Sequence, residues 1–149
     1  MGMLEKATDY AQEKGIDDIC FARGMAEKLP FPDDVFDGVT CSAALHAFQD
    51  TVEALREMAR VLKRSAQLAV LTVVKGDLSA LKMVFERVGT SNPLAKEALK
   101  TMHIFDIEGL DRYLPQAGFK GFAYDIYGPF ILFNAERDRK DKLNDRATF

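Results

Sequence analysis

The run Gln67-Leu68-Ala69-Val70-Leu71-Thr72-Val73-Val74 constrains the fold more than any other part of the chain. It is apolar on both alternations, so neither face can be left to water, and buried parallel strands read this way. A helical pattern precedes it, with Val52, Leu55, Met58, Ala59 and Leu62 on one face. Asp50, followed three residues later by Glu53, has capping-box spacing, which predicts a helix over about residues 51–63. Upstream of the helix, residues 35–44 are almost all apolar or small and predict a second strand lying deep in the sheet. Strand, helix and strand in this order form a parallel crossover unit.

The remaining chain extends the alternation. Residues 3–14 place Leu4, Ala7, Tyr10 and Ala11 on one face, and Gly15 supplies a C-terminal stop, so an amphipathic helix is predicted. Residues 16–22 are a short apolar run of strand type. Residues 77–102 turn helical through Leu78, Leu81, Val84, Phe85 and Val88, and Asn92-Pro93 opens a second helix. Asp106 can cap a helix with the face Ile107, Leu110, Tyr113, Leu114 and Ala117, ending at Gly118. Residues 119–127 and 130–135, separated by Gly128-Pro129, predict a closing antiparallel hairpin. After it, residues 137–149 mix acids and bases with little apolar content and predict a solvated tail. One domain over residues 1–136 follows, because 149 residues with 48% apolar content suffice for one core and not two.

Charge and cysteine content narrow the partners. A formal net charge of -3 gives no basic excess for a phosphate backbone, so nucleic acid is not expected. No apolar run approaches the roughly eighteen residues needed to span a bilayer, so no membrane partner is expected either. Cys20 and Cys41 sit in apolar strand-like runs, where buried free thiols are the expected state, and this points to a reducing cytoplasm. The two histidines and two cysteines have no metal-ligand spacing, so no metal site is expected.

The stretch Ala26-Glu27-Lys28-Leu29-Pro30-Phe31-Pro32-Asp33-Asp34-Val35-Phe36-Asp37-Gly38-Val39, followed by Leu45-His46 and then Arg56-Glu57-Met58-Ala59-Arg60-Val61-Leu62-Lys63, resembles the middle of a class I S-adenosylmethionine (SAM)-dependent methyltransferase of the UbiE-like, small-molecule type. The family pattern is A-E-x-L-P-F-x-D-x-x-F-D-x-V, a Leu-His pair, and R-E-x-x-R-V-L-K. The resemblance covers residues 3–74 and, more weakly, 105–137, where Gln116-Ala117-Gly118-Phe119 is similar to the family's entry to its sixth strand. It implies a three-layer α/β sandwich with a mainly parallel sheet and an antiparallel C-terminal hairpin. In it, residues 16–22 take the part of the third strand and residues 35–44 that of the fourth.

The same resemblance implies the site. The family holds its cofactor with a glycine-rich turn, an acidic residue on the ribose and an adenine pocket. No G-x-G occurs in this chain, and the match opens only at Met3, so the fold is expected to lack its first β-α-β segment. The adenine pair maps onto Met25-Ala26, with Leu29 able to pack on the ring; equally, Leu29, Pro30 and Phe31 can simply turn the chain and bury apolar surface. Ser42, at the end of the fourth strand, is expected among the cofactor-binding residues. His46 falls where the family faces the transferred methyl group, and a near-neutral imidazole can orient or deprotonate an acceptor; as a lone residue it can also be an ordinary loop or core histidine. Glu57 and Arg60 are expected on the helix surface, and Lys63-Arg64-Ser65-Ala66 replaces a K-P-G-G turn, which predicts a looser entry to the fifth strand.

The expected function is SAM-dependent methyl transfer to a small molecule, with weak or absent cofactor binding by this chain alone. The alternative is a non-catalytic, self-associating domain. Without the first two strands, the fourth strand has an open edge, and residues 36–42 carry no lysine or proline to protect it. A homodimer closing that edge is therefore expected.

Overall fold

A computed structural model describes residues 2–76, 79 and 102–138. The chain opens with helix α1, Met3–Glu13, whose first turn is closed by the Gly2 amide donating to Glu5 Oε2 at 2.7 Å. Strand β1, Phe36–Ser42, and a 3-10 turn, Leu45–Ala47, lead into helix α2, Thr51–Val61. As predicted, Asp50 caps α2, its carboxylate accepting from the Glu53 amide at 2.9 Å. Strand β2, Leu62–Val73, follows directly. Helix α3, Ile107–Gln116, is capped by Asp106, and strands β3, Phe119–Tyr127, and β4, Phe130–Arg137, form the closing hairpin. Gly128, at φ 60°, turns it in the left-handed region that favours glycine. The two helices expected within residues 77–102 lie outside the described residues but for Met102 and Ser79.

The four described strands are ordered β1-β2-β4-β3. β1 runs parallel to β2, while β4 enters antiparallel between β2 and β3, so a parallel crossover is closed by an antiparallel hairpin, as predicted. Leu68 and Val70 of β2 and Ile131 and Phe133 of β4 share one face with Leu55 and Met58 of α2 and Leu110 and Leu114 of α3. This face is the core, and each of the β2 and β4 residues named is at most 1% exposed.

Several expectations are corrected. Residues 16–22 form no strand: they take no part in a ladder, and Ile16, Ile19 and Phe21 are 42%, 48% and 38% exposed. A strand is stabilised by its neighbour's backbone bonds and side chains, and Asp17 and Asp18 would put a carboxylate on each face of this run. Cys20 is consequently exposed, whereas Cys41 is buried. β1 lies at the edge of the described sheet, the open edge expected for a fourth strand without its neighbour, and with only Cys41 buried it is not the deeply covered strand its apolar composition predicted. β2 begins five residues earlier than predicted, because a register shift opposite Phe36 and Gly38 absorbs the segment 63–66. Ser65, where the family has a glycine, adopts φ 64°, so the left-handed turn persists without the residue that makes it easy. Arg137, assigned to the polar tail, belongs to β4 and is 8% exposed. Its guanidinium donates to the Leu62 carbonyl and the Asp34 carboxylate, which accounts for a buried charge. Residues 139–149 lie outside the described residues.

Candidate functional site

Two segments converge beside α2. The first is the loop over residues 23–35. Gly24 lies so close to Pro30 that a Cβ there would stand 2.7 Å from the proline Cδ, so the loop folds back on itself only with glycine at this position. Within the fold-back, Met25 and Lys28 form a tight turn, the Lys28 amide donating to the Met25 carbonyl at 3.1 Å. Phe31 meets Phe36 edge to face at 5.0 Å between ring centroids, which pins the loop to the start of β1.

Charged groups on α2 grip this loop, contrary to the expectation that they serve only the helix surface. Glu57 accepts both Arg60 Nε and Nη2, at 2.7 and 2.8 Å, and its Oε2 also accepts the Leu29 amide at 2.8 Å. Arg60 donates in turn to the carbonyls of Phe31 and Leu29, at 2.8 and 3.1 Å, and to Asp33 at 2.6 Å. A planar guanidinium can serve this many acceptors at once, and each bond to a charged group is stronger than a neutral one. The fork from Arg60 holds the Glu57 carboxyl below its usual range, with the Leu29 amide adding to the effect. Glu57, followed by Asp33, raises Arg60 further above its already high value.

The second segment runs from the end of β1 to the start of α2. Ala43 takes φ 52° while its amide donates to the Leu71 carbonyl at 2.8 Å, so the chain leaves β1 by a sharp turn across the end of β2. Such non-glycine left-handed residues cost about 1 kcal/mol or more and persist only when their surroundings hold them. The turn brings His46 over β2, where its Nδ1 lies 3.3 Å from Thr72 Oγ1. Burial pushes the His46 imidazole below its ordinary pKa, which keeps it neutral at physiological pH. The His46 carbonyl accepts from the His103 amide at 2.8 Å. Glu27 joins the two segments, its Oε1 accepting the amides of Gln49 and Asp50 at 3.0 and 3.3 Å.

The sequence-predicted residues therefore fall in two groups linked through Glu27 and α2. Met25 is 61% exposed, Ala26 and Leu29 are half-buried, and Leu29 packs against the core. Ser42 is exposed at the end of β1, and His46 is half-buried. Glu27, Glu57, Arg60 and Thr72 were missed as site residues. The proximity of an acid and a base three residues apart on α2 was visible, but their partners are 28 or more residues away for Leu29, Phe31 and Leu29's carbonyl. A separate pocket of about 190 Å³ is lined by Lys75, His103, Phe105, Asp106, Arg112 and Tyr113 among others, and includes none of the predicted residues.

A β-α-β crossover closed by an antiparallel hairpin, with a loop clamped at the start of β1 and a histidine at the carboxyl ends of β1 and β2, defines an α/β domain of the methyltransferase type. The family model described as the ubiE/COQ5 methyltransferase family matches residues 1–93, and the chain belongs to that family. It is 49% identical over 69 residues to the uncharacterized methyltransferase YcgJ of Bacillus subtilis (strain 168), covering 46% of this chain and 27% of that protein. It is 41% identical over 85 residues to the ubiquinone/menaquinone biosynthesis C-methyltransferase UbiE of Pectobacterium carotovorum, covering 56% of this chain and 34% of UbiE. The matched stretch thus spans about a third or less of these relatives. Among solved structures, YcgJ superposes with a TM-score of 0.67 at 20% identity, covering 93% of this chain and 79% of its own. The cyclase SpnF superposes with a TM-score of 0.65 at 22% identity, covering 89% of this chain and 61% of its own. Both share the fold.

Proposed function

We propose that the chain serves SAM-dependent methyl transfer to a small-molecule acceptor, with Met25, Ala26, Leu29 and Ser42 on the cofactor's side and His46 on the acceptor's. The observation that carries this reading is the Glu27 carboxylate, which accepts the Gln49 and Asp50 amides and so ties the turn over residues 25–29 to the chain that leaves the carboxyl end of β1, where Ser42 and His46 stand. In open α/β folds ligands bind outside the carboxyl ends of the strands. When bound, the cofactor supplies an activated methyl group, and the protein's part is to hold and align.

The residues present fit one portion of that cofactor only. Met25 and Leu29 offer apolar faces to an adenine ring, but the nearest carboxylate, Glu27, is already engaged by two backbone amides. No step of the transfer is therefore assigned to these residues, and weak binding by this chain alone is the consequence. The test is titration with SAM or its demethylated product, followed by calorimetry and by amide NMR. Calorimetry is expected to be silent at micromolar concentration, while at millimolar concentration shifts are confined to residues 25–29 and 42–46. Micromolar affinity refutes the weak-binding expectation, and shifts elsewhere or nowhere refute the site.

A second reading, a non-catalytic self-associating domain, is favoured by one observation: β1 has no partner on its outer edge among the described strands, and Ile16, Ile19 and Phe21 stand exposed. The homodimer proposed from it pairs two copies across these surfaces, in the cytoplasm. A monomer by light scattering at micromolar concentration, with a cooperative thermal transition, would sink it. SpnF, a cyclase of the same fold, illustrates that this architecture does not dictate methyl transfer.

A further inference from the structure

His46 and Thr72 have a geometry that determines what the imidazole can do. Thr72 is 1% exposed, and a buried hydroxyl requires an acceptor for its proton. The hydrogen-bond partner that the structure gives this hydroxyl is His46 Nδ1, at 3.3 Å. The ring is half-buried, and a neutral imidazole has one donor nitrogen and one acceptor nitrogen. Two arrangements are open. If Nδ1 carries the proton and donates to Thr72, the hydroxyl proton is left needing a second acceptor. If the hydroxyl donates to a bare Nδ1, both groups are satisfied by each other, and the ring proton sits on Nε2. Among the described residues, only the second arrangement is complete.

We propose that Thr72 is a positioning residue that fixes His46 in the Nε2–H tautomer, so that His46 presents a hydrogen-bond donor, and not a base, at the ends of β1 and β2. Its backbone is held independently, through the His103 amide on its carbonyl and the Ala43 turn before it, so the ring has little freedom to exchange roles by moving away. The ligand group that meets this ring then carries a hydrogen-bond acceptor atom, an oxygen or an unprotonated nitrogen. The proton on that ligand, if one must leave, goes to another acceptor. The inference rests on the reading that His46 faces the methyl acceptor, but the tautomer itself can be measured without any ligand.

The experiment is a long-range proton–nitrogen correlation spectrum of the full chain with ¹⁵N-labelled histidine at neutral pH. The two histidines are separated by a His103→Gln variant. The expected spectrum has His46 Nδ1 at the far-downfield position of a bare nitrogen and Nε2 at the position of a protonated one. Thr72→Val, which keeps the shape and removes the hydroxyl, is expected to move both signals toward the average of the two tautomers. Thr72→Ser is expected to restore them. A protonated Nδ1 in the wild type, or a Thr72→Val spectrum unchanged from it, overturns the proposal. If Thr72→Val does not fold, the wild-type spectrum and the serine variant decide the matter. A bare Nδ1 together with no ligand-induced shift at residues 42–46 would uphold the Thr72 role while defeating the methyl-transfer reading, so the two failures are distinct.

Discussion

Residues 3–35 and the strands that follow have similar stores of apolar side chains and opposite fates. Among residues 3–35 only Ala11 is buried, whereas β2 and β4 bury Leu68, Val70, Ile131, Phe133 and Ala135 at 1% exposure or less. The contrast is sharpest between residues 16–22, with five apolar residues and two aspartates, and residues 68–74, with six apolar residues and a threonine. The second is flanked by ladders on both sides, to β1 and to β4; the first has none. Strand propensity is a fit to neighbours and becomes structure only when they are present.

The largest expected effects break or support this comparison directly. Phe133→Ala removes a ring that is 1% exposed and edge to face with Phe122 at 5.5 Å, so a loss of about 4 kcal/mol is expected for a buried large-to-small change. Phe21→Ala, at a residue 38% exposed, is expected to stay within about 0.5 kcal/mol. Urea denaturation of both variants checks the pair. A loss of about 2 kcal/mol or more for Phe21→Ala would show that residues 16–22 are packed in solution, as in the proposed dimer.

An intermediate effect is expected where the two regions are tied together. Arg137, at the end of β4, reaches Asp34 just before β1 and the Leu62 carbonyl at the start of β2. Arg137→Met keeps most of the apolar stem but leaves those acceptors without their donor, for which about 2 kcal/mol is expected. Hydrogen exchange sharpens the point. The amides of Asp34 and Val35, which donate to the Arg60 and Val61 carbonyls, should lose protection in this variant, while those in the centre of β4 should keep most of theirs.

What could be read from the sequence was what is decided within a few residues. The Asp50 and Asp106 caps, the apolar stripe of α2 and the Gly128-Pro129 hairpin each depend on spacings of two to four positions, and all are present. Interactions between distant residues were not legible. The Leu29–Glu57 bond joins residues 28 apart, His46–Thr72 residues 26 apart and Arg137–Asp34 residues 103 apart. Composition misled where the fold context differed: Arg137 lies in a charged stretch, yet the register that opposes it to Phe119 continues β4 and buries it. Residues 16–22 were misread for the opposite reason, since their apolar character suggested a ladder that the described strands do not provide.

The smallest expected effect concerns pH and separates the clamp on the first region from the histidine over the second. Glu57, with Arg60 and the Leu29 amide on its carboxylate, has a folded pKa below its unfolded value. The unfolded chain therefore takes up the proton first as pH falls, so the clamp's stabilisation is complete above the ordinary glutamate value and is lost as pH drops through the folded one. His46 obeys the same sign in a higher window: burial lowers its folded pKa, so stability begins to fall as pH drops below the ordinary histidine value of about 6.5. The two windows barely overlap. Between about pH 5 and pH 3.5 the wild type should lose more stability than Glu57→Gln, by about 1 kcal/mol or less for a half-buried pair that water still reaches. Between about pH 7 and pH 5.5 the two should run in parallel, because His46 is unchanged in both. Asp106, whose carboxyl is also lowered by Lys75 and the Gly109 amide, contributes equally to both proteins and cancels from the difference. Urea midpoints across this range are the measurement. Parallel curves below pH 5 would mean that the Glu57–Arg60 fork does not hold the Leu-Pro-Phe loop in solution, and would remove the feature that most distinguishes this loop from the unanchored residues before it.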